Sequence, residues 1–182
     1  TRKELYAYQK GDIDAIFERI DNAAPRHHLL YQLPTGGGKT VIFSEIVRRY
    51  LAQHDKKVVV LTHRIELCKQ TSKMLKGFDV KNKIINSKVK ELPDQNDYSC
   101  FVAMVETLKN RINDEKLHLD NIGLVIIDEA HYNSFRKLLM VSTIKLAGDS
   151  DLRHSQIKID HNLLEDEFTF SCSREEKEIH NV

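Results

Sequence analysis

Mostly apolar runs and stretches with helical periodicity alternate along the first 147 residues of the chain. The apolar runs predict strands near 28–33, 57–62, 82–86, 100–105 and 122–127. Between them, apolar residues recur three or four positions apart over 39–53, 64–76 and about 105–113, and this spacing predicts helices. The helix over 64–76 is expected to end at Gly77, because glycine commonly follows the last helical turn.

This order of strands and helices predicts an α/β fold with a parallel, doubly wound sheet. The run from Gly123 to Ile127 is apolar at every position, as expected for a central strand that is covered on both faces. Sheets of this kind bind their ligands beyond the carboxyl ends of the strands. Candidate site residues are therefore sought where the predicted strands end.

The pattern changes after Gly148, and only two further strands are expected, at 156–160 and 167–172. Residues 148–182 carry nine acidic and four basic side chains, whereas the rest of the chain has a net charge of +6. We therefore expect one lobe over residues 1–147 and an unassigned acidic tail over residues 148–182. The basic lobe permits contact with a polyanion but does not require it.

Composition places the chain among ordinary globular proteins, since 41% of its 182 residues are hydrophobic and 30% are charged. No apolar run approaches the roughly 18 residues of a membrane span, and no signal-type stretch follows the first residues. The three cysteines form no Cys-x-x-Cys pair, so neither a disulfide framework nor a zinc ribbon is indicated. We expect reduced thiols, a cytoplasmic location and no membrane partner.

A glycine run directly after the first strand predicts a phosphate-binding loop. Successive glycines let backbone amides surround phosphate oxygens, and the start of the next helix adds its own amides and positive dipole end. A lysine there can reach the β- and γ-phosphates, and the following hydroxyl can bind Mg²⁺. Leu33 stands where the G-x-x-x-x-G-K-[ST] pattern has its first glycine. The candidate nucleotide-binding residues are Thr35, Gly36, Gly37, Gly38, Lys39 and Thr40.

Two carboxylates follow the apolar run of the last strong strand, where it reaches the binding edge of the sheet. Asp128 can hold Mg²⁺, and Glu129 can accept a proton from an attacking water. A strand that ends in Asp-Glu is a weak signal alone, but the upstream phosphate loop strengthens it. Lys39, Asp128 and Glu129 are therefore the predicted catalytic residues.

These motifs together resemble the first RecA-like lobe of a superfamily 2 helicase or translocase, in the DEAH-containing group that includes the type III restriction-subunit family. Residues 33–40 resemble its motif I, and Asp128-Glu129-Ala130-His131 spells its motif II. Residues 5–9 resemble the leucine, tyrosine and glutamine pattern near the start of such lobes, with Tyr6 where arginine is common. Residues 58–67 resemble motif Ia, and residues 102–108 contain the counterpart of motif Ib.

The resemblance implies a role for several further residues. Gln9 would read adenine, and Tyr8 would either pack nearby or, as the sequence alone favours, lie in the core. His131 would couple the nucleotide to motif III or make a structural hydrogen bond. His63, Arg64 and Thr107 would meet the phosphate backbone of a bound strand, although Arg64 could equally be a solvated residue at a helix start.

The sequence therefore predicts the ATP-binding lobe of a nucleic-acid-dependent ATPase that uses ATP and Mg²⁺ and acts on DNA, with RNA as the alternative. A second RecA-like lobe, which supplies arginine fingers in such enzymes, would be its partner. No Ser/Thr-Ala-Thr motif III follows motif II; Ser142-Thr143-Ile144 comes too early. The two rivals are a nucleotide-gated scaffold without useful turnover and a P-loop ATPase with no nucleic-acid role.

Overall fold

The computed structural model describes residues 2–22, 28–30, 38–62, 64–86, 97–104, 106–108, 121–128 and 156–159. For the strands at 28–30 and 156–159 the description covers the backbone alone.

The three longer helices are α1 (Ala7–Asn22), α2 (Lys39–Gln53) and α3 (Ile65–Gly77). The first strands in chain order are β1 (His28–Leu30), β2 (Lys57–Thr62) and β3 (Lys83–Ile85). They are followed by β4 (Cys100–Met104), β5 (Ile122–Asp128) and β6 (Gln156–Ile159).

The predicted elements are confirmed wherever the structure describes them. The bounds of α2 and β2 agree with the sequence prediction to the residue, and α3 ends at Gly77 as expected. Residues 106–108 are helical. The remainder of the helix expected over 105–113 and the strand expected at 167–172 lie outside the described residues.

The described strands form one parallel sheet in the order β1-β6-β5-β2-β4-β3, which confirms the predicted α/β class. Because all strands run in the same direction, their carboxyl ends meet at one edge. β6 comes from the segment expected to be a separate tail, yet it pairs with β5, Asp128 opposite Ile159, and with β1. The division of the chain at residue 147 remains a prediction.

The core lies between the sheet and the three helices. Both β2 and β5 are buried along their whole length, as their apolar sequences predict. Helix α1 was not singled out from the sequence, although Ile13, Ile16 and Phe17 stand three and four positions apart and are all buried. These residues join the same core cluster as Phe43 and Ile46 of α2.

Within the described part of the chain, no helix combines the length and apolar character that crossing a lipid bilayer requires.

Candidate nucleotide-binding site

The structure brings Lys39 and Asp128 together at the carboxyl edge of the sheet. Lys39 is the first residue of α2, and Asp128 is the last residue of β5. The Lys39 Nζ lies 3.5 Å from the Asp128 Oδ1, which makes an ion pair. Asp128 is only 8% exposed, so its carboxylate lies at the carboxyl edge of the sheet and is largely shielded from water. Two residues 89 positions apart in sequence thus form one charged site, as their motifs predict.

Gly38 caps the start of α2 in a conformation that favours glycine. Its φ is 83°, in the left-handed region, and it offers no side chain to hydrogen-bond the first turn of the helix. The first N–H groups of any α-helix have no acceptor within that helix, and they carry the positive end of its dipole. The start of α2 is therefore suited to an anion, and Lys39 adds a full positive charge there.

Gln9 connects α1 to this helix start. The residue is buried, and its Oε1 accepts a hydrogen bond of 2.8 Å from the backbone N–H of Tyr6. A Cβ added at Gly38 would lie only 2.6 Å from the Gln9 Nε2, closer than real Cβ atoms approach a side chain. The Gln9 carboxamide therefore occupies the space that a larger residue at position 38 would need.

Tyr6 and Tyr8 lie on the surface beside Gln9. They are 69% and 47% exposed, and their rings stack with centroids 6.1 Å apart and an interplanar angle of 14°. The prediction that Tyr8 belongs to the core is wrong. Tyr8 and Gln9 both lie in the first turn of α1, and Gln9 takes the inward position.

The described side chains fit a magnesium-bound nucleoside triphosphate. Thr40 offers a hydroxyl and Asp128 a carboxylate, both of them hard oxygen ligands of the kind that Mg²⁺ prefers. Among the described residues, no group of three or more His, Cys, Asp or Glu could hold a metal ion by itself. Mg²⁺ commonly binds through one or two protein oxygens together with substrate phosphates, and these two residues match that arrangement.

A second pair of predicted residues lies at the same edge, farther along the sheet. Arg64 follows β2 and Thr107 follows β4, and these strands are neighbours with Thr62 paired to Met104. Arg64 is exposed and forms the N-cap of α3, whereas Thr107 is half-buried in the helical residues 106–108. The two candidate polymer contacts therefore share one edge with the Lys39–Asp128 pair.

The roles of all the predicted site residues remain predictions, and six of these residues lie outside the described part of the chain. They are Thr35, Gly36 and Gly37 of the glycine run, His63 of motif Ia, and Glu129 and His131 of motif II.

The sequence did not predict the buried polar contacts that Thr62 makes with Arg64 and Cys68. Thr62 is fully buried, and its Oγ1 donates a 3.2 Å hydrogen bond to the Arg64 carbonyl oxygen. The same Oγ1 lies 2.9 Å from the Cys68 Sγ. The hydroxyl of Thr62, directly after the apolar run from Val58 to Leu61, is the sequence feature that could have indicated these contacts. Burial raises the pKa of the Cys68 thiol, the contact with the Thr62 hydroxyl partly opposes this rise, and the nearby charge of Glu66 adds to it.

Comparison with known proteins identifies a matching family. The family described as "Type III restriction enzyme, res subunit" matches residues 2–162. The chain is 36% identical over 144 residues to IRC3 of Saccharomyces cerevisiae, whose name marks it provisionally as an ATP-dependent helicase. That match covers 74% of this chain and 20% of the yeast protein.

A more distant relative is the human protein named "Helicase POLQ-like", 26% identical over 144 residues. This match covers 71% of the chain and 13% of the human protein. The chain thus spans a fifth or less of the length of these curated relatives.

Solved structures share the fold. The UvsW helicase from bacteriophage T4 matches with a TM-score of 0.62 and 22% identity, over 100% of this chain and 57% of that one. A nuclease-deletion mutant of the Type ISP restriction-modification enzyme LlaGI, in complex with a DNA substrate mimic, matches with a TM-score of 0.64 and 17% identity. That match covers 91% of this chain and 19% of LlaGI. The predicted RecA-like fold is confirmed.

Proposed function

Because the chain belongs to the type III restriction enzyme res subunit family and has the RecA-like fold of superfamily 2 helicases, we propose that it binds and hydrolyses ATP with Mg²⁺. Hydrolysis would depend on nucleic acid and on a second RecA-like lobe. DNA is the proposed polymer, with RNA as the alternative. The sequence Asp128-Glu129-Ala130-His131 supports placing the chain in the DEAH-containing group.

The observation that carries this proposal is the ion pair between Lys39 and Asp128 at the start of α2. The 3.5 Å separation of Lys39 Nζ and Asp128 Oδ1 supports the proposal, because binding the phosphates together with Mg²⁺ would need a cation and a carboxylate side by side. Gln9, which lies buried beside Gly38, would be the residue that contacts the base. A surface ion pair elsewhere would lack the glycine cap, the helix start and the strand end that surround this one.

Different residues would bind the phosphates, bind Mg²⁺ and accept the proton of the attacking water. Lys39 and the amides at the start of α2 would hold the β- and γ-phosphates, and Thr40 and Asp128 would hold Mg²⁺. Bound Mg²⁺ neutralises charge that develops on the phosphate oxygens. Glu129, the residue after β5, would accept the proton of the attacking water.

Replacing Glu129 by glutamine separates binding from chemistry. We expect Glu129→Gln to keep the affinity for ATP and Mg²⁺ and to lose hydrolysis, because the amide can hold its position but cannot accept the proton. The measurement is the rate of phosphate release, together with ATP affinity, in a protein that joins this chain to a second lobe. Normal hydrolysis by Glu129→Gln would show that Glu129 is not the base.

Gln9 should make the site prefer ATP over GTP. A carboxamide can form two hydrogen bonds with the N6 and N7 edge of adenine, whereas guanine presents an acceptor at position 6. The preference should be about 1–3 kcal/mol by analogy with base recognition in nucleic acids. Dissociation constants measured by calorimetry for both nucleotides test this, with Gln9→Ala expected to reduce the difference. Equal constants for ATP and GTP in the unmodified chain would remove Gln9 from the base site.

Nucleic-acid binding is supported by the position of Arg64 and Thr107 at the nucleotide edge. Phosphate contacts supply most of the affinity of such proteins and make it depend on salt. The helicase names of the relatives, and the DNA substrate mimic bound to LlaGI, agree with a polymer ligand. An ATPase with no nucleic-acid role would show no salt-dependent binding of an oligonucleotide.

The alternative function is a nucleotide-gated scaffold that binds ATP without useful turnover. The absence of a Ser/Thr-Ala-Thr sequence after β6, where Asp160-His161-Asn162 follows, is the observation that favours it. Stimulation of ATP turnover by nucleic acid, in a protein with both lobes, would support the ATPase and exclude the scaffold.

A further inference from the structure

Buried hydrogen bonds connect Thr62, at the end of β2, to the carbonyl oxygen of the exposed Arg64 and to Cys68 of α3. The Thr62 hydroxyl has a single hydrogen, and that hydrogen is donated to the Arg64 carbonyl oxygen. Either atom could donate in the 2.9 Å contact between Thr62 Oγ1 and Cys68 Sγ, and with the hydroxyl hydrogen directed to the Arg64 carbonyl the donor is the thiol. The bonds run from the Cys68 S–H to the Thr62 hydroxyl and on to the Arg64 carbonyl.

A backbone hydrogen bond from helix α3 also reaches the Arg64 carbonyl oxygen. The Cys68 N–H donates a 3.2 Å hydrogen bond to the Arg64 carbonyl, the first bond of helix α3. That carbonyl thus receives one bond from the end of β2 and one from α3, which fixes where the strand turns into the helix. Thr62 and Cys68 are both fully buried, whereas the Arg64 side chain is exposed.

We propose that Thr62, supported by Cys68, is a positioning residue that holds Arg64 in place to contact a nucleic-acid phosphate. The inference rests on the proposed nucleic-acid binding at this edge. Arg64 has an extended backbone, with φ of −138° and ψ of 148°, and lies at the junction between β2 and α3. Fixing its carbonyl restricts the directions in which its side chain leaves the sheet, and this lowers the entropy cost of a phosphate contact.

A competing explanation is that Thr62 only satisfies buried polar groups and stabilises the fold. The two explanations differ in the salt dependence of binding. For single strands, each phosphate contact contributes about 0.7 to the slope of log affinity against log salt concentration. Loss of the Arg64 contact should lower the slope by about that amount, whereas a purely structural loss of stability should leave the slope of the folded protein unchanged.

The test uses the 182-residue chain and a fluorescein-labelled oligo(dT), with affinity measured by anisotropy over a series of salt concentrations. Thr62→Val keeps the side-chain shape but removes both hydrogen bonds of the hydroxyl. We expect Thr62→Val and Arg64→Ala to lower the slope by the same amount, about 0.7, and the double variant to lower it no further. Thr62→Ser, which keeps the hydroxyl, should bind as the unmodified chain does.

The outcomes distinguish this inference from the proposed function. A normal slope in Thr62→Val beside a lowered slope in Arg64→Ala would overturn the positioning role and leave the Arg64 contact standing. Additive losses in the double variant would also overturn it, because Thr62 would then act on something other than Arg64. A normal slope in Arg64→Ala would remove the phosphate contact itself, and the positioning role with it.

Cys68 provides a second variant if Thr62→Val does not fold. Cys68→Ala removes the thiol donor and should lower the slope in the same direction, and Cys68→Ser should restore it by supplying a hydroxyl donor. Equal slopes for Cys68→Ala and the unmodified chain would overturn the role of the hydrogen-bond chain.

Discussion

At the residue scale, the glycine before Lys39 has two separate reasons to be glycine. Its left-handed φ of 83° disfavours a side chain, and Gln9 fills the space in which a Cβ would lie. The sequence predicts the first reason, because a glycine run before Lys-Thr is typical of a phosphate loop. It could not predict the second, because the approach of α1 to α2 depends on how the helices pack on the sheet.

Gly38→Ala should destabilise the protein and weaken ATP binding. A left-handed conformation costs an alanine about 1–2 kcal/mol, and the added Cβ must also displace the Gln9 carboxamide. Gly11→Ala is the matched control, since Gly11 lies within α1 and an added Cβ there meets nothing within 4 Å. It should stabilise the protein by about 0.5–1 kcal/mol, because alanine is the better helix former.

Urea denaturation and ATP titration of both glycine variants check these expectations. A Gly38→Ala variant as stable as Gly11→Ala, with unchanged ATP affinity, would contradict the tight fit between Gln9 and the cap of α2.

At the element scale, the sequence predicts the strands and helices whose local pattern is strong. The apolar run of β5 and the periodicity of α2 gave their positions because each pattern arises within one element. The placing of β6 between β1 and β5 could not be predicted, because it pairs residues that are far apart in the chain. Its strand pattern at 156–160 was visible, but its partners were not.

The packing of β5 against α2 requires a glycine at position 123. The sequence does not predict this requirement, because it depends on which side chains the fold brings next to β5. A Cβ at Gly123 would overlap the Tyr50 Oη and lie 2.7 Å from the Lys56 Cβ. Tyr50 is fully buried, and it stacks on His54 with ring centroids 4.3 Å apart. Burial raises the pKa of the Tyr50 hydroxyl.

Gly123→Ala should therefore destabilise the fold by about 1–3 kcal/mol, the usual cost of overpacking a core. Adding Tyr50→Phe should recover part of this loss, because it removes the hydroxyl oxygen but leaves the contact with Lys56. The free energies of unfolding of the two single variants and the double variant test the coupling. Losses that simply add would contradict the close approach of Tyr50 to β5.

At the scale of the whole molecule, the residues proposed to bind the nucleotide and those proposed to bind the polymer lie on one edge of one sheet. The motifs identify Lys39, Asp128, Arg64 and Thr107, and the parallel sheet brings them to the same side. Turnover in related nucleotide hydrolases gains about 10³–10⁵ from an arginine finger, which we propose comes from a second lobe. This chain by itself should therefore bind ATP but hydrolyse it only at a trace rate.

The most direct test of the account is calorimetric titration of the 182-residue chain with ATP and Mg²⁺, beside Lys39→Ala. Loss of a charge-assisted hydrogen bond is worth about 1.5–3 kcal/mol, so the substitution should weaken binding roughly ten- to a hundredfold. Lys73→Ala, which removes an exposed lysine of α3, is the control and should bind ATP normally. ATP binding of equal strength in Lys39→Ala and the unmodified chain would contradict the central claim that the start of α2 holds the nucleotide phosphates.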